Sequence, residues 1–215
     1  LGALITHYFS DALLAKLIEP STILNFPLNL QVLKVTSMFM VKVGMALMGG
    51  IILSLPVIFY QIWCFISPAF EKKYNFPVMF IVVFSTLFFA IGLIFGYNIL
   101  VPFSLEFFTS MTSTTVSINY NFTLEGYLIY IMWLLFACGL IFQLPVITIL
   151  GAKIGILTPP FLRHYRKYAI VSFLIIGALL TPPDPITQIG LALPLLILYE
   201  LSILAVKIIE KKRNA

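Results

Sequence analysis

Three long apolar runs constrain what this chain can fold into more than anything else in it. The first goes from about Val35 to Phe65, interrupted only by Lys42 and Pro56; the second spans about Phe76 to Leu100 and is expected to be closed by Pro102; the third spans about Leu124 to Leu150. Each exceeds the roughly 20 residues that an α-helix needs to cross a bilayer core. The runs are continuous and do not alternate with period two, which argues for helices and against barrel strands. In lipid each backbone amide must be satisfied inside its own segment, and a helix does that. Composition agrees. Of 215 residues 61% are hydrophobic and 10% charged, where soluble domains carry about 25% charged residues. Too little polar surface remains for a water-soluble shell, and the fold class is all-α, a polytopic transmembrane helix bundle.

The rest of the chain is organised around these runs. Leu1–Ile18 is mixed, and Glu19-Pro20 is expected to end it, so it reads as the tail of a spanning helix with an interfacial turn. No Met or basic leader opens the sequence, and the chain is expected to be an N-terminally truncated single transmembrane domain over 1–215. Ser21–Leu33 and Ser104–Thr123 read as polar connections. After the basic loop Lys153–Lys167, Tyr168–Leu180 gives only about 13 apolar residues, short for a bilayer. Thr181-Pro182-Pro183-Asp184-Pro185 then turns the chain, and Ile186–Val206 returns it to a basic tail. The spans are placed at about 35–65, 76–101, 124–150, 168–181 and 186–207: five here, six with a first helix. A helix pair shorter than the bilayer must thin it or be shielded, at a cost.

Charge distribution orients the spans. Lys72, Lys73, Lys153, Arg163, Arg166, Lys167, Lys207, Lys211, Lys212 and Arg213 fall on one side, and Asp11, Glu19, Glu106, Glu125 and Asp184 on the other. The positive-inside bias makes the basic side, with the C-terminus, cytoplasmic or matrix. Basic residues clustered in short loops are this orientation signal and not a nucleic-acid stripe, so no nucleic acid is expected as partner. Cys64 and Cys138 lack metal-ligand spacing and read as small core hydrophobes. His7 and His164 have no catalytic partners around them, and no Gly-rich phosphate loop is present. No enzyme, metal or cofactor is expected.

Polar groups at membrane depth are the best pointers to function. Gln143 lies in the third long run beside Pro145, and Glu200 lies in the last segment, where it could pair with Lys207 or reach the interface. Asp184 sits in the turn between the two short segments. Each also has an ordinary structural explanation: an interhelical hydrogen bond for Gln143, an interfacial ion pair for Glu200, turn chemistry for Asp184.

Several stretches in order resemble the TatC family, the polytopic subunit of the twin-arginine (Sec-independent) protein translocase. They are Leu55-Pro56-Val57-Ile58-Phe59-Tyr60-Gln61-Ile62-Trp63-Cys64-Phe65-Ile66-Ser67-Pro68-Ala69, then Gly92, Tyr97 and Pro102, then Phe142-Gln143-Leu144-Pro145-Val146 and Arg166-Lys167-Tyr168. Leu180-Thr181-Pro182-Pro183-Asp184, Gln188, Pro194 and Tyr199-Glu200 complete the set. The resemblance implies a six-helix, glove-shaped receptor with two short C-terminal helices. It implies binding of the signal or anchor segment of a folded cargo protein around Phe65 and Pro68, with Glu71 the nearest match to the family's acid in that loop. It further implies recruitment of small single-span partners (TatA/TatB-like) at Thr181 and Gln188, flanking Asp184. Gln143 takes the polar position where many members carry Glu, so hydrogen bonding must serve there in place of charge. Transport would draw on the proton-motive force, and lipids and further copies of the chain are possible partners. Gln143 is what the alphaproteobacterial and mitochondrial branches tend to carry, and the weakened acid site, the QIWCF segment and a Phe/Ile/Asn/Lys/Tyr-rich composition suggest an AT-rich organellar genome, so the chain is expected to be closest to that branch. The mitochondrial inner membrane is favoured, with a bacterial plasma membrane as the alternative. The rival functions are a small-molecule secondary transporter, which usually shows internal repeats around a midplane site, and an accessory subunit of a respiratory or assembly complex.

Overall fold

A computed structural model describes residues 2–23, 29–66, 78–110, 121–180 and 185–213. In order these form α1 (Gly2–Tyr8), α2 (Ser10–Ile23), β1 (Asn29–Gln31), α3 (Ser37–Ile66), α4 (Val78–Phe95), a wide π turn (Gly96–Leu100) and α5 (Val101–Ser110). Then follow β2 (Asn121–Thr123), α6 (Leu124–Ile141), α7 (Leu144–Ile154), α8 (Pro159–His164), α9 (Arg166–Leu180) and α10 (Pro185–Arg213). Four stretches are long and apolar enough to cross a membrane: Ser37–Phe65, Met79–Thr109, Leu124–Ile154 and Gln188–Lys211. The segment expected as a short fifth span at 168–181 forms α9, which is not among those four: its 15 residues rise about 22 Å against roughly 30 Å of hydrocarbon. The protein is an all-helical, multi-pass membrane protein, and its chain divides into two compact units: residues 1–55 with 94–137, and 56–93 with 138–215.

In the first unit, both prolines expected to stop a helix are carried inside one. Pro20 lies within α2, which runs on to Ile23. Proline has no N–H, so the carbonyl four residues back, that of Lys16, loses its helical partner. The Tyr97 hydroxyl donates to that carbonyl at 2.7 Å, and the Tyr127 hydroxyl donates to the next one, Leu17, at 3.1 Å. The Tyr97 hydroxyl thus replaces what the proline removes. Pro102 does not end the second apolar run either. The Val101 N–H reaches back five residues to the Gly96 carbonyl, and a widened turn of this kind carries the chain past a proline into α5.

Polar ends are tied together in the same unit. Lys42 pairs with Asp11 at 3.0 Å, and the Ser37 hydroxyl donates to Glu125 at 2.9 Å. The two segments read as polar loops each contribute three residues to a parallel pair, Asn29–Gln31 against Asn121–Thr123. Pairing so short carries no periodic signal, and its partners lie some ninety residues apart.

In the second unit α10 packs against α7, α8 and α9. Leu191, Leu195, Leu198, Ser202 and Val206 are buried on one face of α10, while Ile189, Leu193, Ile197, Leu201 and Leu204 are exposed on the other. A helix apolar on both faces belongs in lipid. The loop read as a basic connection holds α8. Gly155 ends α7 with φ 87°, a left-handed conformation that costs glycine nothing. The N–H groups of Ile156 and Leu157 both return to the Gly151 carbonyl, and the Thr158 side chain caps α8 by accepting from the Phe161 N–H. Cys138 is buried as expected, but Cys64 is exposed on α3, because the membrane and not the protein interior solvates that face.

Candidate functional site

The third apolar run is not one helix. Pro145 can donate no hydrogen bond, and the chain breaks at Phe142-Gln143 before α7 begins, with Pro145 in its first turn. Gln143 therefore sits at a turn between α6 and α7, and it is 93% buried, being 7% exposed. Its Nε2 donates to the Ser85 carbonyl of α4 at 3.0 Å. The Ser85 hydroxyl, itself fully buried, accepts from the indole Nε1–H of Trp63 on α3 at 3.3 Å. Three elements of the second unit thus meet through one serine.

Close backbone approach makes this possible. A methyl group at Gly92 would lie 2.7 Å from the Cys138 carbonyl oxygen, and one at Gly139 would lie 2.4 Å from the Phe89 ring. Contacts that short do not occur, so only glycine lets α4 and α6 touch one turn from the Gln143 bond. Gln143 and Ser85 are buried, Trp63 is half-buried, and none of the three is ionisable, which suits hydrogen bonding and not proton transfer.

α9 and α10 are tied together by side chains; of the two helices expected to be short only α9 is, since α10 runs for 29 residues and is long enough to span. Gln188 Nε2 donates to the Leu174 carbonyl at 3.0 Å, and the Gln188 carbonyl lies 3.2 Å from where a Gly177 methyl would be. Toward the other end Glu200 pairs with Arg166 at 2.8 Å. The expected partner of Glu200 was Lys207, on its own helix. The tertiary fold instead brings in Arg166 from the start of α9. Next to it the Tyr199 hydroxyl donates to the Leu162 carbonyl at 2.7 Å, and Tyr199 meets Phe173 edge-on. Phe65 lies at the end of α3 and is 86% exposed. Pro68, Glu71, Thr181 and Asp184 lie outside the described residues. Among the described residues no three His, Cys, Asp or Glu side chains come together as a metal site.

The family model for the Sec-independent protein translocase protein (TatC) matches residues 1–194. The chain belongs to the TatC family. It is 38% identical over 177 residues to the TatC of Desulforapulum autotrophicum, an alignment covering 82% of this chain and 65% of that protein. With the TatC of Aquifex aeolicus the identity is 33% over 218 residues, covering 100% of this chain and 89% of that protein. A crystal structure of the twin arginine translocase receptor TatC superposes with a TM-score of 0.83 at 32% identity, covering 96% of this chain and 90% of that one. As a TatC-family protein the chain is a core subunit of a Sec-independent twin-arginine translocase and not an enzyme.

Against the TatC motifs named from sequence, the structure brings Gln143 and Trp63 together and pairs Arg166 with Glu200. It also adds Ser85, which no motif pointed to. The available signal was small: Ser85-Thr86 is the one polar dipeptide inside the otherwise apolar α4. Tyr97, quoted as part of a motif, proves to be the donor that sustains α2 through Pro20.

Proposed function

We propose that this chain is the receptor of its translocase. It takes the signal or anchor segment of a folded cargo protein at its cytoplasmic or matrix face, around Phe65, Pro68 and Glu71. It then recruits small single-span partners of the TatA/TatB kind beside Thr181, Asp184 and Gln188. Transport is driven by the proton-motive force, in keeping with a sequence that carries no Gly-rich phosphate loop. The supporting observation is family membership across residues 1–194, together with a buried polar network at Gln143 that contains no ionisable group.

In this reading five spans are present, with α9 crossing a thinned bilayer and the C-terminus inside. The chain assembles with lipids and further copies of itself. Its composition points toward a mitochondrial inner membrane, while the relatives named above are bacterial and give weight to a bacterial plasma membrane.

The test is site-specific photocrosslinking from positions 181 and 188 in native membranes. A small single-span adduct at both positions is expected. Absence of any such adduct, with crosslinks to lipid alone, would favour a small-molecule transporter.

A further inference from the structure

The segment joining α7 to α9 carries a patch that the translocation reading leaves unused. The rings of Phe161 and Tyr165 lie 4.5 Å apart, those of Tyr165 and Tyr168 5.8 Å apart, and His164 meets Tyr165 edge-on at 5.2 Å. The Lys167 ammonium sits 5.2 Å from the Tyr168 ring centre. Phe161 is 44% exposed, Tyr165 43% and Tyr168 56%. The patch is firmly mounted. Pro159 and Leu162 are buried beneath it, Thr158 caps α8, and Tyr199 bonds the Leu162 carbonyl.

Two properties identify its ligand. Positions 161, 165 and 168 follow helical three- and four-residue spacing, and the same stripe continues along α9 through the exposed Val171 and Ile175. Exposed aliphatics on a membrane helix face acyl chains, so the tyrosines at the end of that stripe lie at headgroup level, where aromatic side chains concentrate. The charge is one-sided. No Asp or Glu occurs between Glu125 and Asp184, while Arg163, His164, Arg166 and Lys167 are clustered. Among the described residues the carboxylate paired to this cluster is Glu200, with Arg166, and the side chains of Arg163 and Lys167 are exposed.

We propose that α8 and the first turn of α9 bind the phosphodiester headgroup of an anionic phospholipid in the inner leaflet. Arg163 and Lys167 take the phosphate, and the Phe161–Tyr165–Tyr168 ladder stands against the upper acyl chains. An acidic peptide would satisfy the cations but leave the ladder and its lipid-facing continuation unused.

The experiment uses the full chain in dodecyl maltoside, titrated separately with phosphatidylglycerol, phosphatidylcholine, inorganic phosphate and poly-glutamate. Apparent affinity is read from the rise in the unfolding midpoint with ligand. Phosphatidylglycerol is expected to raise the midpoint, and the other three are not. A cation near an anionic surface is worth about five-fold in affinity. Arg163→Gln and Lys167→Gln should therefore each weaken phosphatidylglycerol binding about five-fold, and the double variant about 25-fold. A Lys207→Gln/Lys211→Gln control, at exposed positions of α10, should bind as wild type does. Equal affinity in the Arg163/Lys167 double variant would overturn the proposal, as would an equal loss in the control. A response to phosphate, poly-glutamate or phosphatidylcholine matching that to phosphatidylglycerol would overturn it too. No cargo or partner is present, so the outcome leaves the receptor reading untouched.

Discussion

Replacing Gln143 by leucine separates structure from transport at the buried polar network. The side chains are of similar volume, so the change removes the Nε2 bond to the Ser85 carbonyl, 3.0 Å long, without opening a cavity. Interhelical hydrogen bonds within a membrane contribute about 0.6 to 2 kcal/mol. For a chain of this size that corresponds to a fall in the unfolding midpoint of roughly 1 to 8 °C, which leaves the protein folded. Unfolding would be followed in detergent, and cargo import into inverted membrane vesicles would be scored by protease protection. If the amide also engages a partner or signal helix, import by Gln143→Leu should drop well below what its folded fraction predicts. Gln143→Glu should retain part of it. An ionised carboxylate cannot donate to the Ser85 carbonyl, so the Glu variant keeps that bond only when it carries a proton. Wild-type import by the Leu variant would refute a transport role and leave Gln143 as packing. An unchanged unfolding midpoint would refute the energetic argument itself.

Three other outcomes follow from the same structure. Tyr97→Phe removes the donor to the carbonyl orphaned by Pro20 and should cost about 1 kcal/mol, visible as faster amide hydrogen exchange confined to α2; unchanged exchange there would mean water replaces the tyrosine without loss. The hydrogen bond from Lys16 holds the Glu19 carboxyl below its ordinary value of 4.5, so its contribution is complete above that pH and is lost as pH falls through the lowered value, and α2 protection should decline on acidification in wild type but not in Glu19→Gln. Adding four apolar residues after Ala178 lengthens the short α9 by about 6 Å, and the variant should insert normally yet lose partner crosslinking and import; normal import would show that bilayer thinning plays no part.

What the sequence determined by itself is everything that depends on one segment and its solvent. Long apolar runs commit the chain to membrane helices because lipid offers backbone amides no other partner; the three runs match three of the four stretches long enough to span, and the fourth falls on Ile186–Val206, which reads from sequence as part of the short pair. The shortness of α9 was equally plain, being a count of residues, and the ordered motifs were enough to point to the family. The tertiary structure alone decided where prolines act. Pro20 and Pro102 read locally as helix ends, but a tyrosine hydroxyl 81 positions away and a five-residue backbone reach allow both helices to continue. It decided partners for the same reason. Ser85 and Arg166 become counterparts of Gln143 and Glu200 only when separate helices pack, and no spacing along the chain encodes a contact across 58 or 34 positions. The parallel pairing of Asn29–Gln31 with Asn121–Thr123 lay beyond sequence reading altogether, since three residues are too few to show a period and the pairing exists only once the helices between them have folded.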